Sequence, residues 1–126
     1  MTGSARRGFT LIELLVVMAI IATLLLIAVP RYSLSLQRAR EATLRQDLSV
    51  MREAIDKFLG DRGHYPAALE ELVEARYLRA IPQDPVTKSA DTWQLVRSED
   101  AEIAGVRDVL SGAEGQDTAG VPYKDL

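Results

Sequence analysis

Glu13 is the residue whose chemistry most needs an explanation, because it is the only charge between Phe9 and Val29. A carboxylate inside an apolar helix costs about 2.5–3.5 kcal/mol on insertion scales, so it implies a partner. Near the start of a helix at a membrane interface the cost falls, since the positive helix end favours an anion. Both readings stand on position alone. Elsewhere the residue types that usually do chemistry are scarce. His64 is the only histidine and there are no cysteines, which excludes thiolate nucleophiles, disulfides and a His- or Cys-rich zinc site. His64 reads as a loop-surface side chain, because acid–base work needs partners that the sequence does not display. Ser33, Ser35, Ser49, Ser89, Ser98 and Ser111 have no nucleophile-elbow context, and no Gly-rich phosphate loop is present. Glu114, Asp117 and Asp125 lie in a Gly-rich tail. They are oxygen donors of the kind calcium gathers, about six to eight at a time, although scattered acids also simply face water.

The elements that would position these residues follow from hydropathy. A helix of about 20 apolar residues spans a hydrocarbon core of roughly 30 Å. Residues 9–30 meet that requirement, with Thr10 and Thr23 able to bond back to carbonyls one turn earlier. Pro30 removes one helix hydrogen bond and predicts a kink or a local break. Beyond it Leu44, Leu48, Met51, Ile55 and Phe58 recur at helical spacing, so an amphipathic helix is expected over 31–59, closed by Gly60. Glu41–Arg45 and Glu53–Lys57 fall at i,i+4 and read as exposed ion pairs. A short helix is expected over 67–76, opened by Pro66, and strands near 92–96 and 106–110 form a hairpin candidate. In the first of these, Trp93 and Leu95 share a face. The fold class is α+β: one long N-terminal helix, with an apolar first half and an amphipathic second half, and a small C-terminal domain. That domain holds the short helix and a two- to three-stranded antiparallel sheet, which must pack on the long helix because so few strands cannot stand alone.

Charge narrows the function. Fifteen Lys and Arg against 18 Asp and Glu give a formal net charge of −3, which argues against nucleic acid as a partner. Arg6 and Arg7 before the span, against Arg31 after it, orient the N-terminus towards the cytoplasm.

Arg6-Arg7-Gly8-Phe9-Thr10-Leu11-Ile12-Glu13, the uninterrupted apolar run and Pro30 together resemble the class III signal of type IV pilins and type II secretion pseudopilins. Downstream, Arg62-Gly63-His64-Tyr65-Pro66, the short helix, Tyr77-Leu78 and Pro82-Gln83-Asp84-Pro85 are similar to the layout of the G-type major pseudopilin. The resemblance implies a leader over 1–8, cleavage by prepilin peptidase between Gly8 and Phe9, and N-methylation of Phe9. It also implies an assembly helix over 9–30, in which Glu13 meets the N-terminal amine of a neighbouring subunit and Pro30 takes the place of the family's proline.

Residues 31–126 would then form a periplasmic domain on a single-pass inner-membrane protein, with no enzymatic activity. The expected partners are the lipid bilayer, further copies in a helical filament, minor pseudopilins and an inner-membrane assembly platform. Calcium, which the G-type proteins bind in their C-terminal loop, is the one cofactor implied, although this tail lacks the family's closely spaced aspartates. Two other readings remain at this stage: a type IV pilus subunit for adhesion or motility, and a membrane-anchored periplasmic binding module.

Overall fold

A computed structural model describes residues 8–126. Residues 1–7 of the expected leader, including Arg6 and Arg7, lie outside the described residues. The described chain runs α1 (Leu11–Arg62), α2 (Leu69–Glu74), β1 (Gln94–Arg97), β2 (Val106–Leu110) and a final 3₁₀ turn (Tyr123–Asp125). It divides into two compact units at Leu36/Gln37.

The first unit is helical from Leu11, and every described residue in it is exposed. α1 meets the length and hydropathy requirements of a membrane span. Its start is a capping box: the Thr10 hydroxyl accepts the Glu13 N–H at 3.1 Å, while the Glu13 carboxylate accepts the Thr10 N–H at 3.4 Å. Thr10 therefore serves as a cap, and the carbonyls one turn before it lie outside the described residues. Thr23 does bond back, donating to the Ala19 carbonyl at 2.8 Å. Helix continues through Pro30. The break expected there does not occur, because proline removes only its own N–H while the neighbouring turns keep theirs.

In the second unit the stripe of Leu44, Leu48, Met51, Ile55 and Phe58 is buried, each side chain 0–1% exposed. At about 1.5–3 kcal/mol per large apolar side chain, this face supplies much of the unit's hydrophobic stabilisation. Leu69, Leu72, Leu78, Trp93, Val106, Val109 and Tyr123 complete the same core. The helix ends at Arg62, past Gly60. Gly63, at φ +74, is the residue that adopts the left-handed conformation, and its N–H reaches the Leu59 carbonyl at 2.8 Å.

α2 is shorter than expected and begins at Leu69, two residues after the expected 67, with Ala68 at its cap. Lacking a capping side chain there, it uses the Glu71 carboxylate, which reaches back to accept the Ala67 N–H at 2.6 Å. β1 and β2 form a two-stranded antiparallel sheet, with a register shift between Val96 and Arg97. That irregularity lets Val106 and Val109, three apart, both be buried, which a regular period of two would forbid. β1 begins at Gln94, later than the expected 92. Leu95 is 38% exposed while Trp93, just before the strand, is buried. The two side chains still line one shallow cavity with Leu69 and Ile81, as their spacing of two predicts, Leu95 at its open edge and Trp93 deeper. The Trp93 indole N–H donates to the Pro82 carbonyl at 2.8 Å.

Candidate functional site

The residues expected to be processed precede the first helical turn. Gly8 and Phe9 are non-helical and exposed, Phe9 at 85%. A Cβ added at Gly8 would meet nothing within 4 Å, so among the described residues nothing crowds this position. Four residues beyond Phe9, Glu13 is held at the helix N-terminus by the capping box, where the helix dipole favours its charge. Its carboxylate is exposed and its hydrogen bond to Thr10 is long, which leaves acceptor capacity for another donor. Pro30, the other residue expected to serve assembly, lies in the same helix about 25 Å away at 1.5 Å per residue, so the structure does not bring the two together.

The second candidate region is the tail. Glu114 and Asp125 are exposed, whereas Asp117 is buried and already occupied. Its Oδ1 accepts the N–H groups of Ala119 and Val121, both at 2.9 Å, and its Oδ2 is bound by the Arg45 guanidinium. Among the described residues, no three His, Cys, Asp or Glu side chains are grouped to hold a metal ion. The donor set therefore does not fit calcium: the one inward carboxylate of the three is neutralised by a guanidinium, and the other two point to water.

Three groups on α1 that sequence reasoning placed on the exposed side, or left without a role, organise this tail. Glu41 does not pair with Arg45. It is 2% exposed and accepts the Thr118 N–H at 2.9 Å and the Thr118 hydroxyl at 2.8 Å. Arg45 turns to Asp117. Arg52 binds the Asp108 carboxylate at 2.9 Å and donates to the carbonyls of Val109 at 3.0 Å and Leu126 at 2.7 Å. The expected exposed pair Glu53–Lys57 does form, at 3.2 Å.

Asp84, read from sequence only as part of a turn, is fully buried. It accepts the Val86 N–H at 2.8 Å and the Ser111 hydroxyl at 2.6 Å. Burial and this nearby carboxylate hold the Asp47 carboxyl above the usual aspartate range. Tyr77 is raised chiefly by donating to Asp61 at 2.6 Å. His64 is exposed and its ring lies edge-on to Phe58.

These features have counterparts in known proteins. A family model described as a prokaryotic N-terminal methylation motif matches residues 3–29. The chain is 32% identical over 96 residues to type II secretion system core protein G of Escherichia coli (strain K12), covering 64% of this chain and 66% of that protein. The protein of the same name from Klebsiella pneumoniae is 31% identical over 96 residues, covering 64% of this chain and 69% of its own length. A type IV major fimbrial protein, FimA of Dichelobacter nodosus, is 41% identical over 58 residues, covering 46% of this chain and 37% of that protein. The chain thus spans about two thirds of the length of the secretion relatives it matches, and no solved structure matches it. With a methylation motif at its start and core protein G similarity that extends well past the motif, the chain belongs to the family of type II secretion system core protein G, among the pilin-like filament subunits.

Proposed function

We propose that this chain is the structural pseudopilin of a type II secretion system, assembled into a periplasmic filament that serves protein export. The observation that carries the reading is the start of the described chain. An exposed, non-helical Gly8–Phe9 bond leads directly into a capped, wholly exposed apolar helix with Glu13 in its first turn. Prepilin peptidase would cut that bond and methylate the new Phe9 amine, which keeps its positive charge. The apolar helix would hold the subunit in the inner membrane, with residues 31–126 on the periplasmic side.

On extraction by the assembly platform, lipid contacts exchange for contacts with the helices of other copies. Glu13 then gives up a long hydrogen bond to its own Thr10 and receives the amine of a neighbour. The exchange sacrifices little and neutralises a charge that an apolar surround would otherwise penalise. Minor pseudopilins would join the same filament through the same helix. The match to the fimbrial protein favours a second reading, a type IV pilus subunit, since the assembly helix serves either filament.

Intact mass and N-terminal sequencing of the protein extracted from its native membrane test the processing step. The expected chain begins at N-methylated Phe9, and a chain that keeps residues 1–8 while the peptidase is present refutes the proposal. Filaments confined to the periplasm and required for export are expected for secretion, whereas surface filaments independent of export would establish the pilus reading.

A further inference from the structure

The segment after β2 returns to α1 through charged groups, and the geometry points to Arg45 as a built-in cation that orders this tail in place of calcium. The Asp117 side chain is 0% exposed. Both oxygens of its carboxylate are engaged, one by two backbone N–H groups and the other by the guanidinium. One helical turn earlier on the same face, Glu41 is buried and bound to both the N–H and the hydroxyl of Thr118. Two adjacent loop residues, Asp117 and Thr118, are thus clamped by two α1 residues spaced i,i+4, the spacing that aligns side chains on one helix face.

The loop closes on itself around this clamp. The Asp117 N–H donates to the Val121 carbonyl at 2.8 Å, the Gly120 N–H donates to the Asp117 carbonyl at 3.0 Å, and Gln116 bridges Pro122.

Two inward carboxylates would repel each other without compensation. One guanidinium, three backbone N–H groups and a threonine hydroxyl supply it here, and a planar donor fork suits a carboxylate better than an ammonium does. A divalent cation in the same place would face the Arg45 charge and would have to displace donors already in place. The acids left over, Glu114 and Asp125, are exposed. Arg45 is half-exposed, so the clamp also weakens as salt rises.

The test uses the full chain in detergent micelles, followed by thermal unfolding and limited proteolysis in EDTA and in millimolar calcium chloride. The wild-type Tm and the rate of cleavage within residues 112–123 are expected to be the same in both. A filled native site at about 100 times its Kd would raise Tm by roughly 10 °C or more, and such a rise overturns the proposal. Arg45→Gln is expected to lower Tm by about 5–10 °C and to speed cleavage in the tail, because it strands a buried carboxylate. Arg45→Lys should retain part of the loss. Unchanged stability and cleavage in Arg45→Gln would equally refute the clamp. If that variant fails to fold, the wild-type comparison in EDTA and calcium still decides.

Discussion

The Asp47 carboxyl titrates above the ordinary aspartate range, first because it is partly buried and second because the Asp84 carboxylate is near. A folded-state pKa above the unfolded one means that the folded chain binds this proton more tightly. The associated stability is present below the unfolded value and is lost as pH rises through the folded one. At neutral pH the ionised Asp47 therefore works against the fold. Asp47→Asn should melt about 1–2 °C higher than wild type near pH 7, a small effect because the side chain is partly solvated and screened. The difference should vanish on acidification into the usual carboxylate range, and Tm measured for both chains from pH 3 to 8 checks this. Sequence could not show this pair, because Asp84 reaches α1 only through the tertiary fold. The same limit misplaced Glu41 and Arg45. Their i,i+4 spacing makes a local ion pair the natural reading, but the true partner of Arg45 lies 72 residues away. Glu13 was legible, since a lone acid in an apolar run needs no tertiary knowledge to stand out, and Thr10-x-x-Glu13 carried its capping-box signal in plain view.

At the level of elements, α1 shows which glycine ends a helix. Gly60 and Gly63 are both plausible stops by composition, and only Gly63 has a positive φ. Gly60 sits inside the helix on its exposed side, where an added Cβ meets nothing within 4 Å. Gly60→Ala should therefore stabilise the fold by about 0.5–1 kcal/mol through helix propensity and a less flexible unfolded chain. Gly105 is the opposite case. Its φ is +130, and an added Cβ would lie 2.6 Å from the Tyr65 carbonyl oxygen and 2.7 Å from that of Pro66. The crossing is tight because the Val106 N–H donates to the same Pro66 carbonyl at 2.7 Å. Gly105→Ala should cost about 2–4 kcal/mol, from backbone strain together with the forced separation of the two segments. Denaturant titration of the two variants against wild type reads both signs in one experiment. The helical stripe and the two strands were legible because each carries its own period. The exact start of β1 and the irregularity opposite Arg97 were not, since they arise from pairing with β2, where the burial of Val106 and Val109 overrides strict alternation.

At the scale of the whole molecule, the two units pose opposite problems. The second buries its apolar face within itself, whereas the first leaves Phe9, Leu11, Ile12, Leu24 and Leu26 at 60–85% exposure, a surface that only lipid or other apolar helices can cover. Lipid tails and helix side chains are similarly apolar, so hydrophobicity alone does little to drive a helix from bilayer to bundle or to set its register there. On the proposed reading a specific polar contact does both, and Glu13 is the one charged side chain that the apolar run offers for it. An unpaired carboxylate in that environment costs roughly 2.5–3.5 kcal/mol, which disfavours a misregistered subunit by about 100-fold. Glu13→Ala removes the penalty and the discrimination together. The variant should insert into the membrane at least as well as wild type, yet when co-expressed with it should enter filaments at about a tenth or less of the wild-type proportion, because it offers no carboxylate to a neighbour's amine and leaves that charge unpaired in an apolar surround at a comparable cost. Quantifying both chains by mass spectrometry in purified filaments and in the residual membrane fraction separates the two steps. Equal incorporation would mean that packing of the apolar surface sets the register without Glu13, whereas loss from the membrane fraction would locate the role of Glu13 in insertion instead of assembly.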